Sequence, residues 1–222
     1  MRVVNKRPIS AVMTLIGINV AVFLVQILVV SITGRTGYEA FIDMFALQQW
    51  DLINAPYTLL TSMFLHSLSP AHILINMFVL YMFGSLLEQK IGSKRFLVIY
   101  FLSGLLVAAV SSFIYDTALG ASGAVMGVVG VVIMLMPNLM VLFFFVIPMP
   151  LWIAGIVIAL IEVFWAFGTG TTANVAHLVG LAVGVGYGFY LKKNSRRLKK
   201  RIRRTSHLSD EDVEEYIRMG RI

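Results

Sequence analysis

Long apolar runs alternate along the chain with short segments that carry glycine, proline or charged residues. Runs of this length and hydrophobicity are typical of membrane-spanning helices. We place six spans at residues 9–32, 70–87, 96–114, 122–136, 151–167 and 174–191. Pro70 suits the first turn of the second span, where its missing N–H leaves no hydrogen bond unmade. The predicted fold is an all-α polytopic membrane protein, a bundle of six transmembrane helices.

Three segments depart from this simple pattern. Residues 33–55 mix polar and apolar side chains, which favours a loop or short helices at the membrane interface. Residues 139–150 are apolar but contain Pro148 and Pro150, and we expect a connection that follows the interface. The fourth span covers only roughly 22 Å of a hydrocarbon core about 30 Å thick. Its N-terminus is therefore expected to begin below the membrane surface.

Composition supports the membrane assignment. Of the 222 residues, 59% are hydrophobic and 13% are charged, and the mean hydropathy is +0.86. A water-soluble domain of this size would expose too much apolar surface to stay in solution. The absence of cysteine excludes disulfides and thiolate catalysis. The sequence also lacks an H-E-x-x-H motif and a pair of membrane aspartates, so we expect no metal, no other cofactor and no aspartyl mechanism.

The basic residues are concentrated in three segments. Three precede the first span, three follow the second span, and nine lie within residues 192–204. Because basic residues favour the cytoplasmic side, we predict a multi-pass protein of the cell membrane with both termini in the cytoplasm. Residues 1–191 then form the membrane domain, and residues 192–222 form a basic, then acidic, tail. We expect the basic part to contact anionic lipids and not nucleic acid, and residues 209–219 to form a short acidic helix.

Four polar residues are found near the starts of the second, fourth and sixth spans. They are His72, Asn76, Ser122 and His177. In the predicted topology, these three helix ends all face the outer side of the membrane. Asn76 follows His72 by one helical turn, so the two share a helix face. A single polar residue of this kind often only joins helices by a hydrogen bond, but the convergence of four predicts a functional site that opens to the outer side.

Ser122 has the surroundings of a nucleophile. It lies between glycines at the predicted N-terminus of a helix, where backbone N–H groups and the helix dipole stabilise negative charge. We expect Ser122 to attack a peptide carbonyl, with His177 as the general base. His72, Asn76 and the amides near Ser122 would bind the oxyanion that forms in this step.

No acidic residue has an evident place beside His177. Asp116 is predicted in the loop before Ser122. Glu162 lies within the fifth span, where we interpret it as a structural acid that faces the bundle, with a contribution to the substrate gate as the alternative. The sequence therefore favours a serine–histidine dyad over a triad with an orienting carboxylate.

Three motifs follow one another along the chain: HSLSPAHILINM at residues 66–77, GASG at residues 120–123 and ANVAHLVG at residues 173–180. Together with six spans, they resemble the rhomboid family of intramembrane serine proteases. Met126 stands where the family often has a tyrosine under the histidine ring, and its sulfur could still pack on imidazole. The resemblance extends over roughly residues 10–191.

The resemblance implies a six-helix rhomboid-like fold and a serine endopeptidase. It implies Ser122 as nucleophile, His177 as base, and His72 and Asn76 as oxyanion-binding residues. The implied substrates are other membrane proteins, single-pass proteins among them, cut in or near a transmembrane segment that unwinds easily. Two non-enzymatic alternatives stay open: an inactive rhomboid-like protein that binds membrane helices, and a small transporter. A transporter usually shows internal repeats, and we find none in this sequence.

Glycines recur every four residues in the sixth span, at Gly180, Gly184 and Gly188. Small residues at this spacing let two membrane helices approach closely. We predict that this ridge packs the sixth span against the fourth and so brings His177 to Ser122.

Overall fold

The structure is a computed structural model and describes residues 10–50, 52–143, 146–167 and 173–205. The helices in these ranges are α1 Ala11–Phe45, α2 Thr58–Thr61, α3 Pro70–Val79, α4 Ser85–Ile91, α5 Ser93–Ser111, α6 Ser122–Leu135, α7 Leu151–Phe167 and α8 Asn174–Thr205. A turn of 3₁₀-helix, Ser62–Phe64, follows α2, and a π-helical turn, Leu80–Gly84, joins α3 to α4. Short strands lie in the connections: β1 Leu47–Gln48, β2 Thr117–Ala118, β3 Met140–Phe143 and β4 Ile147–Pro150.

The six predicted spans all appear as apolar helices. Four helical stretches are long and apolar enough to cross a membrane: Ala11–Phe45, Pro70–Ile91, Ser93–Ser111 and Asn174–Arg197. α6 and α7 are apolar but shorter. At 1.5 Å per residue, the 14 residues of α6 extend over about 21 Å, less than the hydrocarbon core of a bilayer. The predicted bundle of membrane helices is confirmed, including a short fourth span that begins with Ser122.

Two helices, α1 and α8, continue far beyond their predicted ends. α1 continues past residue 32 to Phe45, with a break at Gly34, where a φ of 68° and a ψ of −167° require glycine. α8 continues past residue 191 to Thr205, because the basic run contains no proline or glycine and lysine and arginine are good helix formers. The acidic helix predicted at residues 209–219 lies outside the described residues.

The apolar segment between α6 and α7 forms a β-hairpin, in agreement with its prediction as a connection and not a span. β3 pairs with β4 in antiparallel orientation, with Met140 opposite Pro150. The Leu151 N–H donates to the Leu139 carbonyl at 2.8 Å. This bond ties the first residue of α7 to the base of the hairpin.

Glu88 joins three helix ends at one end of the bundle. Its carboxylate accepts hydrogen bonds from the N–H groups of Ala11 and Val12, at 2.8 and 3.2 Å, and from the Ser10 hydroxyl at 2.5 Å. The Ser93 hydroxyl donates to it at 2.6 Å. A carboxylate at a helix N-terminus satisfies unpaired N–H groups and the helix dipole. Glu88 therefore anchors the start of α1 to the turn between α4 and α5.

α6 lies at the centre of the bundle, and most of its residues are buried between α5 and α8. A Cβ atom added at Gly180 would overlap the carbonyl oxygen of Gly123, and one added at Gly184 would overlap that of Gly127. The two helix backbones are therefore in direct contact, as glycine permits. The predicted glycine ridge is confirmed, and it places α6 and α8 side by side in parallel.

Candidate active site

Ser122 is the first residue of α6, and the loop before it is held in place by backbone hydrogen bonds. Gly120 has a φ of 127°, a conformation that favours glycine, and its N–H donates to the Ser62 carbonyl at 2.9 Å. β2 in the same loop pairs with β1, with Leu47 opposite Ala118. The sequence therefore positions the serine hydroxyl at a fixed helix N-terminus, where unpaired N–H groups point outward.

All four polar residues predicted from the sequence line one cavity of about 650 Å³. His72 and Asn76 reach it from α3, Ser122 from α6 and His177 from α8. Apolar side chains from α3, α5 and α6 form much of the remaining wall. The structure thus brings together residues from three separate segments, while their chemical roles stay predictions.

The close contact of α6 with α8 explains why Ser122 and His177 share this cavity. Ser122 directly precedes Gly123, and His177 lies three residues before Gly180, the glycine packed on Gly123. Within the described part of the chain, no hydrogen bond joins the Ser122 hydroxyl to the His177 ring. Such catalytic hydrogen bonds are often long without substrate and tighten in the complex.

The hydrogen bonds of His72 define its neutral form. The Ser67 N–H donates to His72 Nδ1 at 3.2 Å, and the Ser67 hydroxyl lies 3.0 Å from the same nitrogen. A backbone N–H can only donate, so Nδ1 accepts and the neutral ring carries its hydrogen on Nε2. A Cβ atom built at Gly120 would lie 3.2 Å from this Nε2 and 3.8 Å from Ser122 Oγ. His72 therefore presents an N–H donor close to the serine.

Asn76 offers a second donor in the cavity. Its side chain is nearly buried, and Nδ2 donates one hydrogen bond to the His72 carbonyl at 2.8 Å. An amide nitrogen has two hydrogens. One hydrogen of Asn76 is therefore used within α3, and the other is available to an oxygen bound in the cavity.

His177 has an acidic partner that the sequence analysis did not assign. Its Nδ1 lies 2.9 Å from Glu162 Oε1, and Asn174 Nδ2 donates to Glu162 Oε2 at 2.6 Å. The expectation that no acid is positioned beside His177 is therefore wrong. The reason is the tertiary fold: α7 and α8 pack together and bring residues 15 apart in sequence into contact.

Two sequence signals point to this contact in retrospect. Glu162 is the acidic residue of an otherwise apolar helix, where an ionisable side chain needs a partner. Asn174 and His177 are three residues apart at the start of α8, so they share a helix face. Together, the two signals could have predicted that the Glu162 carboxylate accepts hydrogen bonds from Asn174 and His177.

His66, next to the predicted oxyanion site, has a structural role. Its side chain is fully buried and its ring lies against that of His72, with centroids 5.1 Å apart. Burial, helped by the nearby His72, lowers the pKa of His66 to about 4, so its ring is neutral near pH 7. Gln26 of α1 bonds both backbone groups of His66, at 2.7 and 3.0 Å. This bridge holds the segment that carries Ser67 and leads to His72.

The fold and this cavity define a polytopic membrane protein with a serine and a histidine at the ends of two packed helices. A family model described as Rhomboid domain matches residues 54–194. The chain is 31% identical over 208 residues to Rhomboid protein 1, mitochondrial, of Saccharomyces cerevisiae, covering 87% of this chain and 57% of the yeast protein. These findings identify the chain as a member of the rhomboid family.

Two bacterial relatives are also similar to this chain. It is 32% identical over 138 residues to Rhomboid protease GlpG of Haemophilus influenzae, covering 58% of this chain and 68% of that protein. It is 31% identical over 130 residues to Rhomboid protease GluP of Bacillus subtilis, covering 58% of this chain and 24% of that protein. The chain thus spans little more than half of the yeast relative and a quarter of GluP.

Proposed function

We propose that the protein is an intramembrane serine endopeptidase that cuts other membrane proteins in or near a transmembrane segment. The observation that carries this proposal is the cavity in which a serine at a helix N-terminus shares the wall with His177, His72 and Asn76. Two bacterial relatives, GlpG and GluP, are named as rhomboid proteases, which supports the same activity.

The first half of the reaction transfers an acyl group to Ser122. The hydroxyl oxygen attacks the carbonyl carbon of the scissile peptide bond while His177 takes its proton. The carbonyl oxygen becomes an oxyanion, stabilised by His72 Nε2–H, the second hydrogen of Asn76 Nδ2 and the N–H groups at the start of α6. His177 then gives the proton to the leaving amine as the C–N bond breaks.

The second half returns the enzyme to its starting state. Water attacks the ester carbonyl, His177 takes a proton from that water, and the same donors hold the second oxyanion. The C–O bond to Ser122 breaks, the proton returns to the serine oxygen, and a carboxylic acid leaves. Water reaches this depth in the membrane through the cavity, whose wall includes the polar side chains of Ser67 and Thr117.

The cavity walls favour a membrane segment as substrate. Ile75 and Val79 of α3 and Val107 of α5 line the cavity beside the polar cluster. A peptide bond inside a helix has its carbonyl occupied by a hydrogen bond and shielded by side chains. Segments that unwind easily are therefore expected to be cut fastest.

The oxyanion role of Asn76 is tested by Asn76→Ala. We expect kcat on a reporter with one easily unwound transmembrane helix to fall by about 10²-fold, with KM nearly unchanged, because the lost donor acts on charge that appears only in the transition state. Cleavage is measured in reconstituted vesicles, with the cut bond located by mass spectrometry.

Asn19→Ala is the matched control for this experiment. Asn19 is buried in α1 and its Nδ2 also donates to a carbonyl four residues earlier, that of Leu15, at 2.8 Å. It lies outside the cavity wall, so kcat of the folded enzyme should not change. An effect of Asn76→Ala confined to KM, or equal for both variants, would contradict the oxyanion role, and a parent protein that cuts no reporter would contradict the proposed activity.

We also infer that both termini are cytoplasmic and that the cavity opens to the outer side. The basic residues around the α4–α5 turn and in the C-terminal part of α8 support this orientation. The sequence has no cysteine, so the label on a single-cysteine variant can be assigned to the introduced thiol. In intact cells, an impermeant thiol reagent should label Asp116→Cys but should label Lys94→Cys only after permeabilisation. The reverse pattern would contradict the orientation.

A further inference from the structure

Glu162, Asn174 and His177 form a hydrogen-bonded cluster where α7 meets α8. One carboxylate oxygen of Glu162 faces His177 Nδ1 at 2.9 Å, and the other accepts from Asn174 Nδ2 at 2.6 Å. The side chains of His177 and Glu162 keep only 20% and 14% of their accessible surface. The cluster is therefore largely shielded from solvent and has one acceptor placed between two donors.

This arrangement decides which atoms carry protons. An ionised carboxylate only accepts hydrogen bonds, and here each of its oxygens is aligned with a nitrogen that can donate. Neutral His177 then carries its hydrogen on Nδ1, and the lone pair is on Nε2, the nitrogen that a general base needs for a serine hydroxyl. When His177 takes the serine proton, its positive charge forms next to the carboxylate in a site of reduced dielectric constant.

We propose that Glu162 is the positioning residue of the active site, holding His177 in the Nδ1–H tautomer and stabilising its protonated form during acyl transfer. This inference rests on the proposed protease activity and extends the two-residue mechanism to Ser122, His177 and Glu162. The proton moves between the serine oxygen, Nε2 of His177 and the leaving amine, while Glu162 stays ionised. Asn174 holds the carboxylate in line with the ring.

Two variants of Glu162 separate its charge from its hydrogen bond. Glu162→Leu removes both and suits an apolar helix, so we expect kcat to fall by roughly 10²-fold with KM within about twofold of the parent. Glu162→Gln keeps an oxygen that can accept from Nδ1–H, and we expect a smaller loss of roughly tenfold. Asn174 can adapt to the new amide by rotating its own, because its Oδ1 has no hydrogen-bond partner among the residues that the structure describes.

The tautomer of His177 is a readout that a merely structural role would not change. The chain has four histidines, so a ¹⁵N-histidine spectrum of the detergent-solubilised protein can be assigned with single-residue variants. We expect His177 to be in the Nδ1–H form in the parent and in Glu162→Gln. In Glu162→Leu, we expect a shift toward the Nε2–H form, because the acceptor for Nδ1–H is gone.

Glu88→Gln is the matched control, since Glu88 is also an acid with several hydrogen bonds within the helical bundle. It joins Ser10, α1 and Ser93 away from the cavity, so it should lower the melting temperature without changing kcat of the folded enzyme or the His177 spectrum.

Three outcomes would overturn the role of Glu162. They are an unchanged kcat in folded Glu162→Leu, a change confined to KM, which would assign Glu162 to substrate entry, and an unchanged His177 tautomer. Failure of the proposed function is distinct, because the parent itself would then not cleave the reporter.

Discussion

Ser122→Ala is expected to abolish cleavage while leaving the fold intact. The change removes one oxygen, and alanine is a good helix former. The N-cap position of α6 belongs to Ala121, so no capping side chain is lost. Without the hydroxyl there is no acyl-enzyme, and cleavage should fall by at least about 10³-fold. Reporter cleavage in vesicles and thermal unfolding, measured on the same preparations, check both parts of this prediction.

Combining Ser122→Ala with His177→Ala tests whether the two residues act together. His177→Ala alone should reduce cleavage by a similar factor, because the proposed mechanism uses the serine and its base as one unit. Removing both should then be scarcely worse than removing either, whereas independent contributions would multiply. Multiplying losses, or substantial cleavage by folded Ser122→Ala protein, would contradict the serine mechanism.

Gly184→Val should push α6 and α8 apart and lower activity, although the substitution changes no residue of the proposed active site. Even its Cβ would overlap the carbonyl oxygen of Gly127, and backbone cannot move aside as a flexible side chain can. Overpacking of this kind typically costs about 1–3 kcal/mol or more, and it also pulls His177 away from Ser122. We expect a clear fall in melting temperature. Cleavage should fall by at least about tenfold, because even a small displacement of catalytic groups strongly lowers the reaction rate.

Gly186→Val on the same helix is the control. A Cβ atom at Gly186 would meet nothing within 4 Å, so the same substitution should leave melting temperature and cleavage close to those of the parent. Equal effects at both positions would show that helix propensity, and not the contact between α6 and α8, governs the result.

Much of the fold could be predicted because a membrane imposes simple rules. Apolar length and proline placement located the starts of α3, α6, α7 and α8 to the residue. The end of a helix that continues past its apolar run was harder to predict. The polar pattern after residue 191 says where the last span stops being apolar, but not where its backbone stops being helical, because lysine and arginine continue a helix well.

The site residues could be predicted from the sequence, but some of their contacts could not. His72, Asn76, Ser122 and His177 could be found because each is polar near the start of an apolar run. Glu162 could not be paired with His177 in the same way, because that contact depends on how α7 packs on α8. The tautomer of His72 likewise depends on a backbone N–H of a preceding turn, which no residue pattern encodes.

Covalent labelling tests whether Ser122 is a nucleophile that His177 activates. The purified protein is incubated in vesicles with a fluorophosphonate probe, and the modified residue is identified by mass spectrometry. We expect a single label on Ser122, formed far more slowly in His177→Ala and absent after unfolding. Two results would contradict this role of Ser122. One is labelling of another residue, and the other is cleavage of the reporter by a protein whose Ser122 stays unmodified at saturating probe.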